Sequence, residues 1–191
     1  MSVPSGIVPR MINDLDRIDW SSMSHAYGPA ADVPVWLRAM ASPDPEARKE
    51  ALGNFYGAAH HQGDVYPCTA AGLPFLFAMA DNPTTPDRAP IVELLLSIGR
   101  EAVDRGEGVR IAPDGTESTA AADSITLIRE RADAFIAYAK DPDPRVRRAA
   151  IAGLGLFLDD TDKVMAVLRH QLSVEDGVAE RLLVVRTMCR H

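Results

Sequence analysis

A small polar residue followed by proline, with an arginine six positions after the polar residue, occurs three times in this chain. The segments are "SPDPEARKEALGNFY" from Ser42, "NPTTPDRAPIVELLLSIG" from Asn82 and "DPDPRVRRAAIAGLG" from Asp141. Aligned on Arg48, Arg88 and Arg147, they carry apolar residues three and four positions later: Ala51 and Leu52, Ile91 and Val92, Ala150 and Ile151. A further apolar residue follows seven positions after each arginine: Phe55, Leu95 and Leu154. This is the spacing of one apolar helix face, and the proline marks the turn before it.

The agreement extends backwards. Pro34 and Pro74 each lie fourteen residues before their arginine, inside the apolar patterns "DVPVWLRAM" and "AAGLPFLFAM". A proline there removes a backbone hydrogen bond and kinks the helix. The third segment has Asp133 at that position, so the helix over Asp123–Lys140 is expected to be straighter. The implied unit is an antiparallel helix pair joined by a proline turn. Asp44 and Asp143 stand as N-caps of the second helices, with Pro45 and Pro144 at the first helical position. The arginine falls in the first turn, within reach of polar groups in the preceding turn. Neither helix buries its apolar face alone, so such pairs must stack.

These positions resemble the HEAT-repeat family, whose hallmarks are a helix-A proline, an Asp or Asn in the turn and a helix-B arginine. Here they are Pro34, Ser42 and Arg48; Pro74, Asn82 and Arg88; then Asp141 and Arg147. Ser42 and Asp133 depart from the pattern, which weakens the expected turn-to-helix ladder in the first unit. "IDW...HAYG", the "HQGDVY" run and "TAAGLPFL" are also similar to a group of actinobacterial HEAT-like proteins, a resemblance that carries no activity with it. The family implies an all-α fold, a short right-handed α-solenoid of about four antiparallel helix pairs. The boundaries follow: an N-terminal cap over 1–30, repeats over 31–62 and 63–103, an inserted loop over 104–118, a third repeat over 119–158 and a degenerate repeat over 159–191. In the last, Thr161 or Asp162 is the expected cap. The loop, "DRGEGVRIAPDGTES", lengthens the second interval between arginines and reads as a lid or a linker.

Net charge is -7, which argues against affinity built on neutralising phosphates, so nucleic acid is not expected as a partner. The longest apolar run, "AAGLPFLFAMA", is too short to span a bilayer, and the first residues lack the apolar core of a signal peptide. Cys68 and Cys189 lie far apart without metal spacing and read as reduced thiols. A cytoplasmic protein with no metal, cofactor or membrane partner is the expectation.

Chemistry concentrates in "YGAAHHQGDVY", Tyr56 to Tyr66. On a helix from Pro45 to His60, Ala47, Ala51, Leu52, Phe55, Ala58 and Ala59 form the apolar sector. Lys49, Gly53, Gly57 and His60 fall opposite, with Tyr56 on the border. Two glycines there leave a bare backbone groove. Gly63 is placed to end the helix in the left-handed conformation, and Asp64 to cap the next. Histidines near a helix C-terminus also meet its negative end favourably. A second use of the same residues is chemical. His60 or His61 with Asp64 makes an imidazole–carboxylate pair suited to general base work, with Tyr56 or Tyr66 as a hydrogen-bond donor. His25 and Tyr27, in "SHAYG", are the residues expected to approach from the cap. Adjacent histidines on a helix diverge by about 100° and make poor joint metal ligands.

Two functions stay open. One is a scaffold that recognises a protein partner, more basic than itself, on the concave face. A toxin-neutralising (immunity) role is its specific form. The other is a small-molecule-binding protein or enzyme with catalytic candidates His61, Asp64 and Tyr66 beside His60. The partner-binding residues on either reading are His25, Tyr27, Lys49, Tyr56, His60, His61, Asp64 and Tyr66.

Overall fold

The computed structural model describes residues 14–106, 108–111 and 117–189. It divides into two compact units, Met1–Leu127 and Ile128–His191. Both are built from α-helices, and among the described residues no helix is long and apolar enough to cross a membrane.

In the N-terminal unit, two short 3-10 turns (Leu15–Arg17 and Trp20–Ser22) lead into a minimal hairpin of β1 (Ser24–His25) and β2 (Gly28–Pro29). Then come α1 (Val33–Ala39), α2 (Pro45–Asn54), α3 (Pro67–Asp81) and α4 (Arg88–Arg105). Helix α1 packs on α2 and α3, and α3 packs on α4. The core is Phe55, Leu73, Leu76, Phe77, Met79, Leu94, Leu95 and Ile98, all essentially sealed from water. Trp20 anchors the front of the unit. It is buried, and its indole N–H donates to the Leu15 carbonyl at 2.8 Å.

The expected inserted loop is partly ordered: α4 runs through Arg105, and β3 (Arg110–Ile111) pairs antiparallel with β4 (Glu117–Ser118). Position 107 and the tip over 112–116 lie outside the described residues, as do 1–13 of the expected cap. Helix α5 (Ala120–Glu130) follows, and the boundary between the units falls within it. The C-terminal unit continues with α6 (Asp133–Tyr138), α7 (Pro144–Phe157), α8 (Thr161–Val174) and α9 (Val178–Met188). Helix α7 packs on α6 and α9, and α9 also packs on α8.

The turn chemistry is the same in all three proline segments. Ser42 Oγ, Asn82 Oδ1 and Asp141 Oδ1 each accept the backbone N–H two residues on, at 3.1, 3.1 and 3.0 Å. This local bond folds the chain over before the helix starts. Asp44 and Asp143 then cap α2 and α7, accepting from Glu46 N–H at 3.0 Å and Arg145 N–H at 2.9 Å. Serine serves the first turn as well as aspartate serves the third.

The arginines complete the arrangement. Arg48 Nη1 donates to the Ser42 and Pro43 carbonyls at 2.8 and 2.9 Å. Arg147 Nη1 donates to the Asp141 and Pro142 carbonyls at 3.0 and 3.1 Å. The other edge of each guanidinium holds a carboxylate from further along the chain: Asp87 for Arg48, Glu175 for Arg147. Each arginine thus ties its own turn to the next connection in the same unit. Arg88 makes a simpler bond, from Nε to the Ala80 carbonyl at 2.8 Å. The Glu175 carboxyl is held below the usual range by its Arg147 hydrogen bonds, and those bonds push the arginine up.

Three expectations are corrected. Pro34 does not kink a helix: it is the second residue of α1, where its missing N–H has no intrahelical partner to lose. Pro74 does lie inside a helix. The helix over Asp123–Lys140 is interrupted despite lacking proline. At Arg131 and Ala132 the bonds tighten to the carbonyls three residues back, Ile128 and Arg129, which separates α5 from α6. The cap of α8 is Asp160, accepting from Lys163 N–H at 2.9 Å, because the side chain must reach the third helical N–H.

Gly153 explains the close packing of α6 on α7. A Cβ there would sit 2.5 Å from Cδ1 of Phe135, a buried ring. We predict that Gly153→Ala lowers stability by about 1–3 kcal/mol through overpacking. Arg147→Ala, which leaves the Glu175 carboxylate buried without its cation, is expected to lower it by about 2–4 kcal/mol. Urea unfolding monitored by far-UV circular dichroism checks both. Unchanged midpoints would show that neither contact holds the unit together.

Candidate functional site

Helix α2 does not run to His60 as a regular helix. After Asn54 it widens into one π turn, Phe55–Ala59, closed by the bond from His60 N–H to the Phe55 carbonyl at 3.0 Å. A π turn carries one extra residue, so everything after it is rotated relative to a plain α-helix. His60 then leaves the helix at φ -137°, and Gln62 and Gly63 follow in the left-handed region at φ 51° and 75°. Gly63 is favoured by its positive φ; a Cβ there would lie 2.9 Å from Cδ of Glu101, the end of a flexible side chain that can move aside.

Three successive carbonyls at the helix end, Gly57 to Ala59, each take a specific donor. The Gly57 carbonyl accepts from His61 Nδ1–H at 2.8 Å. The Ala58 carbonyl accepts from Ala26 N–H at 3.1 Å, which docks the β1–β2 hairpin. The Ala59 carbonyl accepts from the Thr69 hydroxyl, whose oxygen also receives Tyr66 N–H at 2.9 Å and so caps α3. The Asp64 carbonyl accepts from His60 Nδ1–H at 2.9 Å. A carbonyl only accepts, so both neutral rings carry their proton on Nδ1.

From this the two histidines part company. His60 is buried, not exposed beside Lys49 and the glycines as a continuous helix implied, because the π turn swings it inward. Its Nε2 accepts from the Ser97 hydroxyl of α4 at 2.9 Å. Burial pushes its pKa down, the Asp64 carbonyl and the nearby Glu101 opposing. Tyr56 bonds Ser97 in turn; burial, then Glu93, pushes its hydroxyl up to about 12, so it stays a donor at neutral pH. His61 instead faces outward. The Tyr27 hydroxyl lies 3.2 Å from its Nδ1, and the rings meet edge to face with centroids 5.2 Å apart. Its Nε2 has no hydrogen-bond partner among the described residues.

The expected imidazole–carboxylate pair is not formed. Asp64 Oδ1 accepts from Arg105 Nε at 2.8 Å and from Val65 N–H at 2.9 Å, and neither histidine ring bonds its carboxylate. Asp64 is therefore not the cap of α3 either; Tyr66 stands at that position, before Pro67. The Tyr66 hydroxyl is pushed up by partial burial and then by Asp64. His25 is buried: its Nδ1 accepts Tyr27 N–H at 3.0 Å, its Nε2–H donates to Asp32 at 3.1 Å, and its ring stacks on Trp36. His25 positions Tyr27 and does not itself reach the surface. Tyr27 is 71% exposed.

The remaining surface feature is Tyr27 against His61, beside the open backbone of Gly57; at Gly57 and at Gly53, one turn earlier, an added Cβ would meet nothing within 4 Å. Lys49 belongs elsewhere, on the rim of a cleft with Met40, Leu52 and Ile91. Among the described residues no three His, Cys, Asp or Glu side chains are placed to hold a metal ion. Cys68 is buried and its thiol is pushed up to about 12 by that burial, so it is not a nucleophile near neutral pH. Ser97, Thr69 and Arg105 were not singled out from sequence. A serine within the apolar run "IVELLLSIG" was the visible signal for the first.

Charge is unevenly divided. Residues 1–127 hold nine Lys and Arg against 17 Asp and Glu, whereas 128–191 hold 11 against ten. The acid excess belongs to the unit that carries Tyr27 and His61.

Comparison with protein-family models, curated proteins and solved structures gives no match for this chain.

A pH effect follows from His60. A folded pKa below the unfolded value of about 6.5 means that the unfolded chain binds the proton more readily. Stability is therefore full above about pH 6.5 and falls as pH drops from there toward the folded value. We predict that the wild type loses more stability than His60→Gln between pH 7.5 and 5.5, measured by urea unfolding of both. Parallel losses would remove His60 as the titrating group.

Proposed function

We propose that the chain is a HEAT-like repeat scaffold whose N-terminal unit binds a basic protein partner, over the surface that carries α2, the turn from Tyr56 to Tyr66, and Tyr27. The observation that carries this reading is an exposed Tyr27 against a half-buried His61, held in place on an acid-rich unit. Its geometry is fixed before any partner arrives: His25 holds the Tyr27 backbone, and the Gly57 carbonyl holds the His61 ring. Aromatic side chains ordered in this way add contact area at low entropic cost and are common anchors of interfaces. The excess of carboxylates steers a basic partner toward that surface.

The repeat reading draws support from the arginine clamps, which use the same atoms on equivalent turns in two units. Toxin neutralisation, in which an acidic scaffold covers a basic toxin, is the specific form of the proposal, with the cytoplasm as its place. The acid/base alternative has less support, since Asp64 is committed to Arg105 and the two histidines serve opposite sides of the turn.

Affinity capture from a lysate, followed by calorimetric titration of the captured protein, tests the proposal. The expected partner is basic, binds more weakly as salt rises, and loses about tenfold or more in affinity with Tyr27→Ala. A partner whose affinity is unchanged by both Tyr27→Ala and His61→Ala would contradict it.

A further inference from the structure

The cleft between α2 and α4 is separate from the Tyr27–His61 surface and has a chemistry of its own. It is half open and holds about 160 Å³. Its apolar lining comes from Met40, Pro45, Leu52, Pro90 and Ile91. A dry apolar cavity of about 150 Å³ holds one benzene-sized group, whereas water needs two or more polar partners to stay. The lining offers water few of these.

The rim decides the sign of the charge that such a guest carries. Arg48 and Asp87 both lie there, but they neutralise one another, and Arg48 also spends donors on the Ser42 and Pro43 carbonyls. Lys49, beside them, is exposed and makes no ion pair among the described residues. Its neighbours in the cleft are otherwise apolar. The rim therefore presents one ammonium without an ion pair next to one apolar slot. The nearest acids, Glu46 and Glu50 on the same helix, do not line the cleft and make no ion pair with Lys49 among the described residues, and charges more than about 8 Å away are largely screened at physiological salt.

We propose that this cleft is a binding site for a small carboxylate with one ring-sized apolar group, its hydrocarbon between Leu52 and Ile91 and its carboxylate on Lys49 Nζ. The apolar slot supplies most of the affinity and Lys49 the selection for a negative head group. A ligand of about ten heavy atoms in a half-open cleft binds with a dissociation constant on the order of 1 mM.

The test uses the full chain, labelled with nitrogen-15, titrated with phenylacetate and separately with phenethylamine, which matches it in apolar group and opposes it in charge. Phenylacetate is expected to shift the amide signals of Lys49, Leu52 and Ile91 and to bind about fivefold or more tighter than the amine. Lys49→Glu is expected to reverse that preference. Leu52→Trp, which fills the slot, is expected to abolish both responses. Should Leu52→Trp fail to fold, Lys49→Glu, on an exposed position, decides the matter alone. No localised shifts up to about 20 mM phenylacetate would overturn the proposal, given the affinity expected. So would equal affinities for the two probes, shifts centred away from the cleft, or a preference that survives Lys49→Glu.

Discussion

Each helix leaves its last carbonyls without intrahelical donors, and a chain made of short helices meets that problem at every turn. The solutions used here organise the molecule. Arg48 and Arg147 give both Nη1 protons to the carbonyls of the turn before their own helix and keep the other edge for a carboxylate further along. At the end of α2, where a π turn exposes three carbonyls in a row, His61, Ala26 and Thr69 divide the work. The same need that fixes the helix ends also fixes which side chains reach the surface.

The parts legible in the sequence were those with local causes. A Ser, Asn or Asp before proline bonds a backbone N–H two residues away, and an Asp-Pro pair caps and starts a helix; both lie within a few residues of the side chain that acts. The arginine at a constant offset was legible for the same reason. The π turn was not, because its stability depends on Ala26 and Thr69, one distant in sequence and the other in the next helix. A regular helix places His60 outside, and one inserted residue puts it inside against Ser97. The break at Arg131 and Ala132 likewise has no proline or glycine to announce it.

The pair of histidines that stands out in the sequence therefore divides into two roles. His60 is an interior strut, neutral by burial and bonded at both nitrogens. His61 is a surface group whose ring is oriented from behind by a backbone carbonyl, leaving Nε2 outward next to Tyr27. Asp64, the carboxylate nearest to them in sequence, is drawn away by Arg105. The proposed recognition role rests on this arrangement of Tyr27 and His61 on the acidic unit.

The division of labour between the histidines rests on their tautomers, and these are directly measurable. Long-range proton–nitrogen correlation spectra at about pH 8, where an ordinary imidazole of pKa about 6.5 is neutral, report which ring nitrogen carries the proton. Nδ1–H is predicted for both His60 and His61. A proton on Nε2 of either ring, or averaged signals for His60, would contradict this assignment, since the carbonyls of Asp64 and Gly57 would then be without their donors.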